Sequence, residues 1–182
     1  ARAILSAGKP IVCQTREELP GVTTFDRENA CARMYWRAYP IQRTERSVVC
    51  IGLGRLGGEM MEQALRVNVL GEHRLTYHLF GDTTRFAQDH RMLGQFLTLG
   101  HEDAARDSLI LHEENWQDAA DVLEKADRIL LCMDEDEANR EALAEIERYF
   151  PTKAVLYARI AQGRSEHGAV FFGSDETVLT PE

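Results

Sequence analysis

A short apolar strand followed by a glycine-rich turn and a helical pattern constrains this chain more than any other feature. Residues 47–58 read Ser-Val-Val-Cys-Ile-Gly-Leu-Gly-Arg-Leu-Gly-Gly. Gly52 permits a sharp exit from the strand, Gly54 lets the backbone approach a diphosphate, and Gly57 lets a helix pack closely on the strand. The N-terminus of that helix offers unpaired N–H groups and partial positive charge to an anion. The segment therefore predicts a dinucleotide-binding turn.

Strand-like and helical segments alternate from Ser47 onward. The predicted strands are Ser47–Ile51, Leu75–Phe80, Ser108–His112, Arg128–Met133, Ala154–Arg159 and Ala169–Phe172. Helical patterns between them cover residues 57–70, 116–125 and 135–149. This alternation is typical of parallel strands joined by crossover helices. We therefore expect an α/β fold with a doubly wound, Rossmann-type parallel sheet and helices on both faces.

The first 46 residues do not follow this alternation. Pro10–Gln14 is predicted to form a strand, and Phe25–Tyr39 an amphipathic helix with Asp26 as its N-cap. We expect residues 1–46 to comprise the tail of an upstream module and a linker helix. Residues 47–182 are then the Rossmann-type domain.

Composition limits the classes of partner. A net charge of −9 over 182 residues disfavours a general nucleic-acid binder, which needs a basic face. No apolar run approaches the roughly 20 residues that cross a bilayer. The cysteines lack the paired spacing of a zinc or redox site and are expected to be reduced. They are Cys13, Cys31, Cys50 and Cys132. The expected location is the cytoplasm, and tethering at the inner face of a membrane is compatible with it.

A dinucleotide site also needs an acid after its second strand, where the adenosine ribose binds. Asp82 is the best-placed acid, although it lies 30 positions beyond Gly52 instead of the usual spacing of about 20. Its alternative role is to cap a helix. Arg85 is open to two interpretations, because it either meets a 2′-phosphate, favouring NADP(H) or ATP-like ligands, or faces solvent. Arg55 either contacts a phosphate or pairs across a dimer interface.

Catalytic chemistry is weakly indicated. The acidic run 134–137 fits stabilisation of a helix N-terminus better than a calcium loop. None of the six histidines has a metal-binding spacing. Only His112 and Tyr157 can be nominated, by residue type alone, as a general acid or base beside a nicotinamide. An enzyme is therefore the weaker interpretation.

Three segments together resemble the RCK domains, regulators of potassium conductance that are also called TrkA-type N-terminal domains. Residues 52–57, Gly-Leu-Gly-Arg-Leu-Gly, are similar to the glycine turn of that family. Residues 126–139 resemble its fourth strand, acidic turn and Asp-x-x-Asn helix start, and residues 157–160, Tyr-Ala-Arg-Ile, look like its fifth strand. The likeness covers roughly residues 47–160.

The resemblance implies a regulatory domain that binds NAD(H), or the related ligands NADP(H) or ATP/ADP. Ligand binding would change the geometry of a homodimer or larger ring and so control a potassium channel or cation transporter. By position, the diphosphate would lie against Gly52, Gly54, Arg55, Leu56 and Gly57, the ribose against Asp82, and the nucleotide near Met133 and Asp134. Leu53 and Thr83 complete the predicted site.

The chain departs from the family pattern at its second and third strands: the second arrives late, and its Gly81-Asp82 leaves the register of the acid open. The family has Gly-Asp after its third strand, whereas this chain has His112-Glu113-Glu114. Two alternatives therefore stay open beside the regulatory domain. One is an NAD(P)-dependent oxidoreductase, and the other is a degenerate dimerisation domain that keeps the architecture without a nucleotide.

Overall fold

The computed structural model describes residues 12–14, 23–69, 73–91, 93–95, 97–163 and 168–174. The strands are β1 Val12–Gln14, β2 Thr23–Phe25, β3 Ser47–Ile51, β4 Thr76–Phe80, β5 Thr98–Leu99, β6 Ser108–His112, β7 Arg128–Leu131, β8 Val155–Arg159 and β9 Val170–Phe172. The α-helices are α1 Arg27–Ala38, α2 Arg55–Val67, α3 Thr83–Asp89, α4 Ala120–Lys125 and α5 Asp136–Tyr149. Single 3₁₀ turns occupy Leu93–Gln95 and Trp116–Asp118.

The main sheet has seven strands, in the order β5-β6-β4-β3-β7-β8-β9, and every pair is parallel. Without the two-residue edge strand β5, the strands numbered along the chain have the spatial order 3-2-1-4-5-6. This is the strand order of the Rossmann fold. The predicted α/β class with a Rossmann-type parallel sheet is therefore confirmed. Strands β1 and β2 form a separate parallel pair.

Two hydrophobic clusters form the core, and alternate residues of β3 belong to different clusters. Val48 and Cys50 pack with the buried residues of α1 and α2. Val49 and Ile51 pack with Leu123 of α4 and with the buried residues of α5. The division follows from strand geometry, since successive side chains point to opposite faces of a sheet.

Helix α1 belongs to the first of these clusters. Asp26 caps it as predicted, because its Oδ1 accepts a hydrogen bond of 3.1 Å from the N–H of Asn29. The indole Nε1 of Trp36 donates to the carbonyl oxygen of Met60 in α2 at 2.8 Å. Tyr35 stacks edge-on against Tyr157 of β8, with 5.2 Å between ring centroids. Whatever the role of the preceding residues, α1 is packed onto the α/β unit.

Arg128, at the start of β7, fixes the connection between α1 and β3. Its side chain is only 2% exposed and forms a double ion pair with Glu45, with N···O distances of 2.9 and 3.0 Å. Its Nη1 also donates to the hydroxyl of Tyr35 and to the carbonyl oxygen of Tyr39. A buried guanidinium is stable only when its donors are satisfied in this way.

Glu45→Gln is expected to destabilise the fold strongly, because it keeps the shape of the partner but leaves the charge of Arg128 uncompensated. We expect a loss of about 3 kcal/mol in the free energy of unfolding, measured by urea denaturation. Glu62→Gln is the control, since Glu62 pairs with Arg66 on the surface, and its effect should stay within about 0.5 kcal/mol. Equal losses in the two variants would contradict this account.

Candidate functional site

The strand order places a crevice between the carboxyl ends of β3 and β7. The chain leaves β3 for β4, which is its neighbour in one direction along the sheet. It leaves β7 for β8, which lies in the opposite direction. The connections from these two strands therefore diverge, and ligands of open α/β sheets bind where such a divergence occurs. The glycine turn follows β3 at this point.

Two glycines of the turn are required by close backbone packing. Gly52 has a φ of +96°, and a Cβ there would lie 2.6 Å from the backbone nitrogen of Met133. A Cβ on Gly57 would lie 1.9 Å from the carbonyl oxygen of Gly52. The turn, the end of β7 and the start of α2 are thus held closer together than any side chain allows. This is the backbone arrangement that the sequence predicts for Gly52 and Gly57.

Gly54 lies directly beneath the carboxylate of Asp134. A Cβ on Gly54 would lie 2.6 Å from Asp134 Oδ1. Gly54 occupies the N-cap position of α2, where no side chain caps the helix and the first turn carries no acid. A carboxylate near this helix end is favoured by the helix dipole. The predicted diphosphate position is therefore next to an anion supplied by the protein itself.

A cleft of 260 Å³ opens at this point. It is lined by Arg27, Glu28, Cys31, Arg55, Leu56, Met133, Asp134, Arg159 and Gly173. Small-molecule sites commonly measure about 300–1,000 Å³. The cleft is slightly smaller than this range, and the exposed side chain of Asp134 lies within its lining. Burial raises the pKa of Cys31 to about 11, so its thiol is not a reactive nucleophile.

The Arg55 guanidinium pairs within the chain. Its Nη2 lies 3.2 Å from Oε2 of Glu28 in α1, and the two side chains are 55% and 20% exposed. Neither a phosphate contact nor a dimer contact is needed to account for this position. Arg55 and Leu56 nevertheless line the cleft, as the prediction requires.

Asp82 caps α3. Its Oδ1 accepts a hydrogen bond of 3.0 Å from the backbone N–H of Arg85, and Thr83 is the first residue of the helix. The preceding Gly81 has a φ of +139°, and a Cβ there would lie 2.7 Å from the backbone nitrogen of Leu53. The end of β4 is therefore adjacent to the glycine turn. The capping role accounts for one carboxylate oxygen, and the ribose role of Asp82 stays a prediction.

The Asp-x-x-Asn segment holds the ends of β7 and β8 together. The buried side-chain amide of Asn139 accepts from the N–H of Met133 at 3.0 Å and donates to the carbonyl oxygens of Met133 and Arg159 at 2.9 and 3.0 Å. Asp136 binds Arg159 Nη1 at 2.6 Å and accepts from the N–H of Ala161 at 2.8 Å. These residues position the far wall of the cleft without pointing into it.

A histidine pair joins the middle of β4, at His78, to the carboxyl end of β6, at His112. His78 Nδ1 is 3.0 Å from His112 Nε2, and His112 Nδ1 is 2.9 Å from Glu114 Oε1. With Glu114 ionised, His112 donates from Nδ1 and accepts at Nε2 from His78. Phe80 stacks on the ring of His112, with 4.2 Å between centroids. Local sequence carries no signal for this pair, because the parallel register of β4 and β6 sets His112 opposite Phe80, two positions beyond His78.

Burial and the neighbouring His112 lower the pKa of His78 from 6.5 to about 4. The unfolded chain then binds more protons than the folded chain between these two pH values. His78 therefore stays neutral and structural at neutral pH.

Comparisons with family models, with curated proteins and with solved structures found no match. In the described ranges, no group of at least three His, Cys, Asp or Glu side chains is arranged to hold a metal ion. The described helices also include none with the length and apolar character needed to cross a bilayer. Cys31, Cys50 and Cys132 are free and buried.

Lowering the pH from 6.5 to 4 is expected to destabilise the fold, because protonation of His78 favours the unfolded chain. The contribution of His78 reaches about 3 kcal/mol and is absent above pH 6.5. Urea midpoints measured across this range should fall less steeply for His78→Asn, whose amide replaces the Nδ1 donor. His101→Asn, at an exposed histidine, is the control and should keep the wild-type slope. Identical slopes for wild type and His78→Asn would contradict the assignment.

Proposed function

We propose that this chain is a regulatory domain that binds an adenine nucleotide, NAD(H) in the first place, at the carboxyl ends of β3 and β7. The observation that carries the proposal is the backbone contact of Gly57 with Gly52, located where the connections from β3 and β7 diverge. It presents the N-terminus of α2 to the cleft, and such a helix end binds phosphate.

The side chains around the cleft support binding in preference to catalysis. Within the described part of the chain they are arginines, carboxylates, a thiol of raised pKa and apolar groups. Arginine guanidinium groups suit bidentate contacts with phosphate. The histidine pair lies on β4 and β6, where His78 bonds to His112 and His112 bonds to Glu114. The described residues that line the cleft include no histidine or tyrosine. An imidazole or phenol that could exchange a proton with a bound nicotinamide is therefore not among them.

Regulation requires that the ligand bind one conformation more tightly than another. The partners in this proposal rest on the resemblance to RCK domains: a second copy of the chain or a larger ring, coupled to a potassium channel or cation transporter. Two-fold pairing is the commonest arrangement of identical chains. The cytoplasmic side of a membrane is the corresponding location.

A degenerate structural domain is the second candidate function. The carboxylate of Asp134 lies over Gly54, and Glu28 neutralises Arg55. Both contacts favour a cleft that is satisfied without a ligand. The regulatory proposal requires only that these two side chains be displaced, and each is at least partly exposed.

Adenine nucleotides are expected to stabilise the protein without being consumed. At a ligand concentration about 100 times the Kd, the stabilisation is about 2.7 kcal/mol, which raises the Tm by roughly 5–10 °C. Gly54→Ala should weaken binding at least tenfold, because its Cβ fills the approach to the diphosphate, while the fold tolerates the change because the Cβ meets only the end of the exposed Asp134 side chain. Thermal melts and calorimetry with NAD⁺, NADH, ADP and ATP check this.

Gly58→Ala is the matched control, because a Cβ at position 58 meets no atom within 4 Å. It should keep wild-type affinity and gain a little helix stability. Absence of binding by all four nucleotides at millimolar concentration would refute the regulatory proposal and favour the structural domain. Substrate-dependent oxidation of NADH would favour the oxidoreductase.

A further inference from the structure

Helix α1 forms one wall of the same cleft that the glycine turn forms on the other side. Arg27, Glu28 and Cys31 of α1 face the cleft together with Arg55 and Leu56 of α2. The helix that precedes the Rossmann-type strands is therefore in direct contact with the proposed nucleotide site. A change at the cleft therefore acts directly on the N-terminal end of α1.

The two helices are joined differently at their two ends. Near the cleft the contact is polar: Glu28 pairs with Arg55, and Asn29 Nδ2 donates to Glu59 Oε2 at 2.8 Å. The Glu28 oxygen nearest Arg55 is buried and has no hydrogen-bond partner, so charge alone holds this pair. Two turns further along α1, Trp36 is 3% exposed and bonded to α2. Release of the first turn therefore leaves the rest of α1 docked.

Arg55 is better able to change partners than Arg159, which lines the same cleft. Arg159 is committed at 2.6 Å to Asp136 and also donates to the carbonyl oxygen of Asp134. Arg55 is 55% exposed, and the ion pair that the structure gives it is the one with Glu28. A phosphate offers its guanidinium two charge-assisted hydrogen bonds, which Glu28 does not.

We propose that the diphosphate of a bound nucleotide competes with Glu28 for Arg55, so that binding releases the first turn of α1. The inference rests on the proposed function. It adds a regulatory effect of that function: when the ligand binds, the chain segment that enters α1 at Asp26 becomes free to move. Glu28 opposes binding twice, because it occupies the cation and repels the incoming anion. Removal of its charge should therefore tighten binding.

The experiment compares Glu28→Gln with wild type, using ADP and inorganic pyrophosphate as ligands. Exposed ion pairs are worth about 0.2–1 kcal/mol, so Glu28→Gln should bind both ligands up to about fivefold more tightly in calorimetry. In wild type, each ligand should speed hydrogen exchange at the amides of Asn29 and Ala30, which donate to Asp26 at the start of α1. In Glu28→Gln these amides should exchange fast already and respond little. Amides near Trp36 should stay protected in both proteins.

Glu62→Gln is the control, because it removes the same charge from α2 at a surface pair with Arg66. It should reproduce wild-type affinity and exchange. Tighter binding in both variants would reduce the effect to net charge and overturn the inference. The inference would also be overturned if Glu28→Gln bound ADP with wild-type affinity and ADP left hydrogen exchange in wild type unchanged.

The pyrophosphate arm separates the two proposals. If pyrophosphate binds with the expected Glu28 dependence while no adenine nucleotide binds, the competition for Arg55 stands and the nucleotide function fails. If neither ligand binds, both proposals fail. If ADP binds without any role for Glu28, the nucleotide function stands alone.

Discussion

The close approach of three backbone segments at the end of β3 is the constraint on which the rest of the site depends. Gly57 packs against the carbonyl oxygen of Gly52, and Gly52 packs against the end of β7. No residue with a side chain fits these two positions, so the glycines determine how near α2 approaches the sheet. This distance in turn presents the helix N-terminus, with its unpaired N–H groups, to the crevice. The site is therefore built from backbone before any side chain contributes.

Side chains then hold the walls of the crevice in place. Asn139 and Asp136 tie the ends of β7 and β8 together, and Arg128 with Glu45 fixes the chain between α1 and β3. The acidic segment that carries much of the resemblance to RCK domains thus has a structural use in this chain. That part of the resemblance supports the architecture more directly than it supports a ligand. Ligand binding depends instead on the glycine turn and on whether an anion displaces the side chains of Glu28 and Asp134.

The sequence predicted the elements whose signal is local. Ser47–Ile51 and Ser108–His112 are short apolar runs, and both strands have the predicted bounds. Helix α3 was missed because its only buried residue is Phe86, so it has no apolar stripe. Met34 of α1 is apolar but 39% exposed, since α1 presents Cys31, Ala32, Tyr35 and Trp36 to the core.

Contacts between distant residues had no local signal. The Glu28–Arg55 pair, the position of Asp134 over Gly54 and the His78–His112 pair all depend on how strands and helices are brought together. The glycine spacing alone could predict the turn, because the steric demand of each position is local. The charges that occupy the turn arrive from other elements, and these charges decide whether a nucleotide binds.

The most direct test of the account is a nuclear magnetic resonance titration of the labelled protein with NAD⁺ and ADP, followed at the backbone amides of residues 52–57. If the α2 N-terminus receives the diphosphate, the amides of Gly54, Arg55 and Leu56 should show the largest shifts, and they should saturate together with the binding curve. Unchanged amides in this turn at saturating ligand, with shifts elsewhere or nowhere, would contradict the account.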